Sequence, residues 1–161
     1  MKERSLFETI YNEHQDKVFG ICLGHTNGNV ALAKDLTQDV FVKVFDHYGS
    51  FRQEAKIATW IYRIAVNTCY QYFRKRKHVI FKVQIPDVED QVLDDRELKF
   101  TQMYKCINRL TDQNRSIILL ELEDLPQDEI AEIIGISHQA LRTRLHRIKD
   151  QISKCVQNER I

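Results

Sequence analysis

Apolar residues recur at three- and four-residue spacing along most of this 161-residue chain, which is the period of one helix face. The periodic stretches are separated by turn signals such as Asn27-Gly28, Gly49-Ser50 and Gly135. Thr59, Thr111 and Ser137 stand where N-caps are expected. The predicted helices are 6–21, 31–48, 60–77, 98–109, 112–123, 126–134 and 138–155. The pattern therefore predicts an all-α fold.

The apolar rows within the first three helices predict which residues form the core of the N-terminal half. The rows share helical spacing and are interrupted by few charged residues. They are Leu6, Ile10, His14, Val18 and Ile21; Leu36, Val40 and Val44 beside Phe41 and Phe45; and Trp60, Ile64, Ala65, Cys69, Tyr72 and Phe73.

Residues 126–149 carry the pattern of a helix-turn-helix. Apolar positions line the inner side of two short helices, and Gly135 lies in a turn that requires positive φ. From Gln139 to Lys149 there are four basic residues and no acid. In such motifs the second helix enters the major groove. Its predicted outward residues are His138, Gln139, Arg142, Thr143, His146 and Arg147.

The segment 60–77 ends in Arg74-Lys75-Arg76-Lys77, and it holds five basic residues from Arg63 onward without an acid. Two readings fit these residues alone: a DNA-facing helix, or a solvated helix end whose cations the helix macrodipole favours. Residues 79–97, with Pro86 and six acids, are interpreted as a flexible linker. Nineteen extended residues reach about 65 Å, which spans one to two turns of DNA.

The remaining composition narrows the class of protein. No apolar run reaches the roughly 18 residues of a membrane span, and no signal-peptide stretch opens the chain, so no membrane insertion and a cytoplasmic location are expected. Four scattered cysteines without a CxxC pair are interpreted as reduced and mostly buried. Cys22, His25 and His14 could cluster as a metal or redox site, against the simpler reading of a buried thiol beside surface histidines.

Taken in order, three segments resemble bacterial sigma factors of the extracytoplasmic-function (ECF) type, within the sigma-70 family. They are AKDLTQDVFVKVF (33–45), Phe51 followed by TWIYRIAVNTCYQYFRKRK (59–77), and DEIAEIIGISHQALRTRLHRIK (128–149). The resemblance implies two small helical domains, sigma domain 2 (1–78) and sigma domain 4 (98–161), joined by the linker 79–97. Lys34 stands where the family often has Glu, and Ala140-Leu141 replaces its Thr-Val pair, which puts one phosphate contact in doubt.

The resemblance also implies a role for individual residues. Asp35, Leu36, Gln38, Asp39 and Phe41 match the segment that docks on the β′ clamp helices of core RNA polymerase. Phe51 and Asn67 match a pocket for a flipped −10 base, and Trp60, Arg63, Arg74 and Lys75 match its DNA-binding surroundings. The −35 element would be read by Ser137, Gln139, Arg142, Thr143, His146 and Arg147.

The function expected from this resemblance is a promoter-specificity subunit that is not itself an enzyme and uses no cofactor or metal. Its partners would be core RNA polymerase, promoter DNA and an anti-sigma factor, and the free chain would be a monomer. Two alternatives stay open at this point: a helix-turn-helix regulator that never joins polymerase, and a small metal or redox enzyme built on Cys22, His25 and His14. The segment Asp35 to Phe41 favours the sigma factor, because a pure regulator has no use for it.

Overall fold

The computed structural model describes residues 1–77 and 94–158, and every regular element in these ranges is helical. The N-terminal unit contains α1 (Lys2–His25), α2 (Val30–His47), a short 3₁₀ turn and α3 (Ile57–Lys77). The C-terminal unit contains α4 (Asp95–Asn108), α5 (Asp112–Leu122), α6 (Gln127–Ile134) and α7 (His138–Asn158). The all-α prediction is confirmed. Most of the predicted linker lies outside the described residues, but α4 begins inside its last three positions.

Most of the predicted turns and caps form as expected, because they depend on local chemistry. The Thr111 Oγ1 accepts from the Asn114 amide at 3.4 Å, and the Ser137 Oγ accepts from the Ala140 amide at 3.1 Å. Gly135 has φ of 83°, which places it in the left-handed region that favours glycine. The cap predicted at Thr59 is wrong: α3 starts at Ile57, and Thr59 is fully buried within it.

The N-terminal core joins one face from each of α1, α2 and α3. Fully buried residues include Val18 and Ile21 from α1, Val40 and Val44 from α2, and Ile61 and Ala65 from α3. Burying an aliphatic side chain of this size stabilises the fold by about 1.5–3 kcal/mol. The predicted rows need three corrections, since Leu6 and Phe45 are exposed and the α3 core face runs through Ile61, Ala65 and Cys69 rather than Trp60 and Phe73.

The C-terminal unit is built around α5, which is buried over five successive residues, Ser116 to Leu120. The Arg115 guanidinium reaches back to the carbonyls of Asn108 and Leu110 at 2.8 and 3.1 Å, so it satisfies carbonyls at the end of α4. The helices α6 and α7 pack on this frame through Ile130, Leu141, Leu145 and Ile148. These contacts fix the helix-turn-helix that the sequence predicts.

The cysteines depart from the prediction that all four are reduced and unpaired. Cys106 of α4 and Cys155 of α7 form a disulfide, with their Cα atoms 5.9 Å apart. Cys22 and Cys69 are free and buried, with their sulfur atoms 3.8 Å apart. The Cys69 thiol donates a hydrogen bond to Cys22. This hydrogen bond, together with burial, raises the pKa of Cys69 well above its ordinary value. Spacing along the chain gave no sign of either pair, because helix packing brings them together.

The two units pack directly against each other. Helix α1 contacts α4 and α5, and α3 contacts α6, so one continuous apolar cluster runs through both halves. This closed arrangement decides which of the predicted functional residues are accessible.

Candidate nucleic-acid and polymerase interfaces

The predicted duplex-reading face lies on α7 and is open to solvent. Its six outward residues together line one shallow concave surface. They are His138, Gln139, Arg142, Thr143, His146 and Arg147. All six are exposed, and Leu141, Leu145 and Ile148 on the opposite side anchor the helix in the core. The helix therefore presents donors and cations outward while its inner side is held rigidly.

Ser137 lies beside this surface, but its side chain already caps the N-terminus of α7. Its hydroxyl oxygen accepts the Ala140 amide at the start of α7, and the Thr143 hydroxyl donates to the Gln139 carbonyl. Neighbouring Arg144 and Lys149 lie toward the protein, bonded to Gln113 and Glu121. Within the part of the chain that the structure describes, Arg142 and Arg147 of this face are exposed and form no ion pair, and they are suited to base edges or phosphates.

The predicted strand-binding residues of α3 form a row along one side of the helix. Trp60, Arg63, Asn67 and Arg74 follow each other at spacings of three, four and seven residues, which returns to the same face. Lys75 is exposed but lies off this row. Phe51 packs on Trp60, with ring centroids 5.0 Å apart and planes tilted by 35°. The ring of Phe51 contacts Trp60, and Asn67 lines a separate cleft, so Phe51 and Asn67 are not seen to share one pocket.

This cleft lies between the two units and has a volume of about 390 Å³. Asn67, Tyr70 and Arg74 line it from α3, and Asp112, Ile133 and Ile134 are among the residues that line it from the C-terminal unit. Arg63 donates from Nη2 to the Glu132 carbonyl at 3.0 Å, and the Tyr70 hydroxyl donates to the Asp112 carbonyl at 2.9 Å. The α3 row therefore faces α5 and α6.

The predicted polymerase-docking residues lie on α2. Asp35, Gln38 and Asp39 are exposed, and Leu36 is core. Phe41 is only 3% exposed, so most of its side chain packs in the core. Its role in polymerase docking stays a prediction. The sequence missed the exposed apolar pair Val42 and Phe45, each about 60% exposed.

Val42 and Phe45 border a shallow apolar groove. Its remaining walls are Phe7 and Tyr11 of α1 with Gln38 and Phe41 of α2. The edge of Phe7 meets the ring of Phe45 at a centroid distance of 5.2 Å. A contiguous exposed apolar surface beside carboxylates is typical of a protein-binding site. The signal in the sequence is the i,i+4 pair Phe41 and Phe45, of which the pattern alone predicts burial for both.

The residues of the alternative metal site are engaged elsewhere. The His14 Nδ1 lies 2.9 Å from the Tyr62 hydroxyl, and burial lowers the pKa of His14. The His25 Nε2 lies 3.1 Å from the Ser116 hydroxyl, and burial lowers the pKa of His25 to about 4. Across residues 1–77 and 94–158, no three His, Cys, Asp or Glu side chains group as metal ligands. His25 is buried, so the reading of surface histidines is also wrong for it.

The comparisons with known proteins agree with the resemblance. The family model described as Sigma-70 region 2 matches residues 10–79, and that described as Sigma-70, region 4 matches residues 100–152. The RNA polymerase sigma factor YlaC of Bacillus subtilis is 31% identical over the full length of both chains. The ECF RNA polymerase sigma factor SigW of the same species is 29% identical, covering 94% of this chain and 89% of the relative.

Two solved structures have the same fold. The sigma factor RpoE in complex with the anti-sigma factor NepR from Bartonella quintana matches with a TM-score of 0.72 and 20% identity over 94% of this chain and 96% of that one. CnrH in complex with the cytosolic domain of CnrY matches with a TM-score of 0.74 and 17% identity over 96% and 90%. The chain belongs to the sigma-70 family of RNA polymerase sigma factors, in its ECF group. None of its described helices is long and apolar enough to cross a membrane.

Proposed function

We propose that this chain directs core RNA polymerase to promoters by reading a −35 duplex with α7 and holding a −10 strand on α3. The observation that carries the proposal is the presence of both DNA-facing surfaces on one chain of this family. The catalytic chemistry of RNA synthesis would belong to the polymerase. In this proposal residues 1–78 and 98–161 are the two functional domains, 79–97 sets their spacing, and the site of action is the cytoplasm.

On the −35 side, the exposed Arg142, Arg147 and Gln139 supply the groups that read guanine and adenine edges. On the −10 side, Asn67 offers an amide and the Phe51–Trp60 pair offers aromatic faces, with Arg63, Arg74 and Lys75 for phosphates. Flipping a base costs a few kcal/mol. Stacking at about 1–3 kcal/mol per base would offset that cost.

Polymerase docking is assigned to α2. Asp35, Gln38 and Asp39 are exposed polar groups, and Val42 and Phe45 provide an adjacent apolar surface. Acid and amide groups beside an apolar ridge suit a coiled-coil partner such as the β′ clamp helices. The likeness to the sigma factor RpoE, which was solved in complex with the anti-sigma factor NepR, supports an anti-sigma factor as a further partner.

The deciding experiment is runoff transcription with core polymerase on a library of random promoters. We expect transcripts only when the chain is added, and selected templates that share two motifs at a fixed spacing. Asn67→Ala should impair promoter opening more than duplex binding. A chain that binds DNA but neither joins core polymerase nor starts transcripts would instead be a helix-turn-helix regulator.

A further inference from the structure

The contact between the two units contains an unusually close helix crossing. Gly20 and Gly24 lie one turn apart on α1 and face the C-terminal unit. A Cβ at Gly24 would lie 2.1 Å from Leu119 Cδ2, and the three nearest atoms all belong to that buried side chain. A Cβ at Gly20 would lie 1.8 Å from the Glu123 carboxylate. Glycine at these positions is what permits α1 to approach α5 so closely.

The polar groups enclosed by this contact are matched across it. His25 of α1 and Ser116 of α5 are both buried and hydrogen-bonded to each other. The Asn108 side-chain amide donates to the Gly24 carbonyl at 3.3 Å. An accidental contact would leave such groups buried without partners, which is costly and rare in native structures. The matching indicates a specific interface.

Opposite charges meet where α6 lies on α3. Lys56 and Glu129 are 2.8 Å apart, and the pKa of Lys56 is raised, first by that hydrogen bond. Six acids and no base lie between Glu121 and Glu132, and α6, which carries three of them, packs on α3. The Glu132 carbonyl of α6 also accepts from Arg63, so α6 engages one of the cations of the row that could otherwise hold a phosphate.

We propose that α1 and α3 form a docking surface for the chain's own α5 and α6, and that this contact excludes single-stranded DNA from the Trp60–Arg74 row. The proposal rests on the proposed function, since it regulates the row to which strand binding is assigned. In the closed form the face on α7 and the polar residues of α2 are exposed. On the row, Trp60 and Arg63 are half-buried, while Asn67 and Arg74 are exposed at the cleft beside the C-terminal unit. The closed chain can therefore engage duplex DNA and polymerase before the row is uncovered.

The test compares three full-length variants that leave net charge unchanged. Gly24→Leu and Gly20→Leu place a side chain in the crossing, whereas Gly49→Leu is the matched control because a Cβ there meets nothing within 4 Å. Closure is measured by zero-length carbodiimide cross-linking of Lys56 to Glu129, located by mass spectrometry. Strand binding is measured with a fluorescent random 20-nucleotide single strand, and helix content by circular dichroism.

We expect Gly24→Leu to lose the Lys56–Glu129 cross-link, keep its helix content and bind the strand at least about tenfold more tightly, with Gly20→Leu in the same direction. Gly49→Leu should behave as the unchanged chain in both assays. Retention of the cross-link together with unchanged strand affinity in both interface variants overturns the proposed contact. Loss of the cross-link without tighter strand binding overturns the masking.

Asn67→Ala distinguishes a failure of the masking proposal from a failure of the proposed strand-binding function. If masking is wrong but the row binds DNA, Asn67→Ala weakens strand binding equally in the original and the Gly24→Leu backgrounds. If the row does not bind DNA at all, Asn67→Ala has no effect in either background. The proposal expects weakening mainly in the opened Gly24→Leu background.

Discussion

The two DNA-facing helices carry similar chemistry and differ in what packs beside their reading faces. Helix α7 exposes all six residues of its reading face, whereas the α3 row faces α5 and α6, with Arg63 bonded to the Glu132 carbonyl. Both surfaces are basic and attract polyanions, but on α3 an arginine of the reading row itself is bonded to α6, and Lys56 just before the helix pairs with Glu129. The difference shows that a basic surface is not always available to DNA, because acidic and carbonyl groups of the same chain can already be bonded to its cations.

The largest expected effect is a loss of stability on breaking the disulfide, which is present in the C-terminal unit, whereas the cysteine pair of the N-terminal unit is not bonded. The Cys106–Cys155 disulfide closes a loop across 49 positions of the C-terminal unit, and such a loop contributes about 4 kcal/mol in the chain-entropy account. Cys155→Ser should lower the free energy of urea unfolding by about that amount, as should reductant on the original chain. Cys69→Ser is the control for loss of a buried thiol without a bridge.

The same experiment tells whether the two units unfold together. If the closed contact is strong, far-ultraviolet circular dichroism and Trp60 fluorescence report one shifted transition in Cys155→Ser. If the units are independent, the Trp60 transition, which reports on α3 alone, stays where it was. Unchanged unfolding with and without reductant would mean that the bridge does not form in solution.

The second effect is a pH dependence that arises from His25 in the contact. Burial, then the Arg115 charge, lower the pKa of His25 to about 4 from an ordinary 6.5, while Asp112 acts in the opposite sense. The ring also faces Tyr70 of α3. The closed form therefore binds His25 as the neutral ring. Its contribution is complete above pH 6.5 and is lost as pH falls toward 4, by up to about 3 kcal/mol.

We expect the free energy of unfolding of the original chain to fall more steeply between pH 6.5 and 4 than that of His25→Asn, which keeps a polar group that does not titrate. His47→Asn serves as the control, because His47 is exposed on α2 away from the contact. Parallel pH profiles for the original chain and His25→Asn would show that His25 is not enclosed in solution.

Local features of this comparison were predictable from the sequence, and the features set by packing were not. Gly135, Thr111 and Ser137 act within a few residues of themselves, so their roles follow from residue type and spacing. Phe45 and Cys155 were misread because burial and pairing depend on which helix lies opposite. The closed contact depends on α1 meeting α5 through Gly20 and Gly24, and helical periodicity within one segment carries no information about that partner.

The third effect uses Arg142 to check the exposed side of the comparison. Arg142→Ala should weaken binding of the selected −35 duplex by about 1–3 kcal/mol and relax selectivity at one base pair. Because α7 is open in both states, the same loss should appear in the original chain and in Gly24→Leu. Lys154→Ala, which removes one cation from the same helix outside the reading face, is the control measured by the same anisotropy titration.

If Arg142→Ala weakens duplex binding by different amounts in the two backgrounds, closure also affects α7, and the proposed difference between α7 and α3 would be wrong. An unchanged duplex selectivity in Arg142→Ala would remove α7 from its assigned role. The outcome expected here keeps the two surfaces independent, with closure acting on α3 only.

The smallest effect concerns the Lys56–Glu129 pair at the edge of the contact. The Lys56 side chain is 75% exposed, so solvent and salt screen the attraction, and pairs of this kind contribute little. Lys56→Glu or Glu129→Lys alone should increase the opening of α6 less than about fivefold, as measured by amide hydrogen exchange over 127–134. The double exchange, which restores opposite charges at the same two positions, should return opening close to that of the original chain.

If the double exchange fails to rescue, the pair in the structure is not a direct interaction in solution. If the single variants open α6 as fully as Gly24→Leu, electrostatics rather than the glycine crossing holds the units together. The enclosed His25–Ser116 bond and the Leu119 packing against Gly24 argue for the opposite ranking, because buried contacts are not screened by salt. Closure should therefore survive about 0.5 M salt, at which exposed ion pairs no longer contribute measurably.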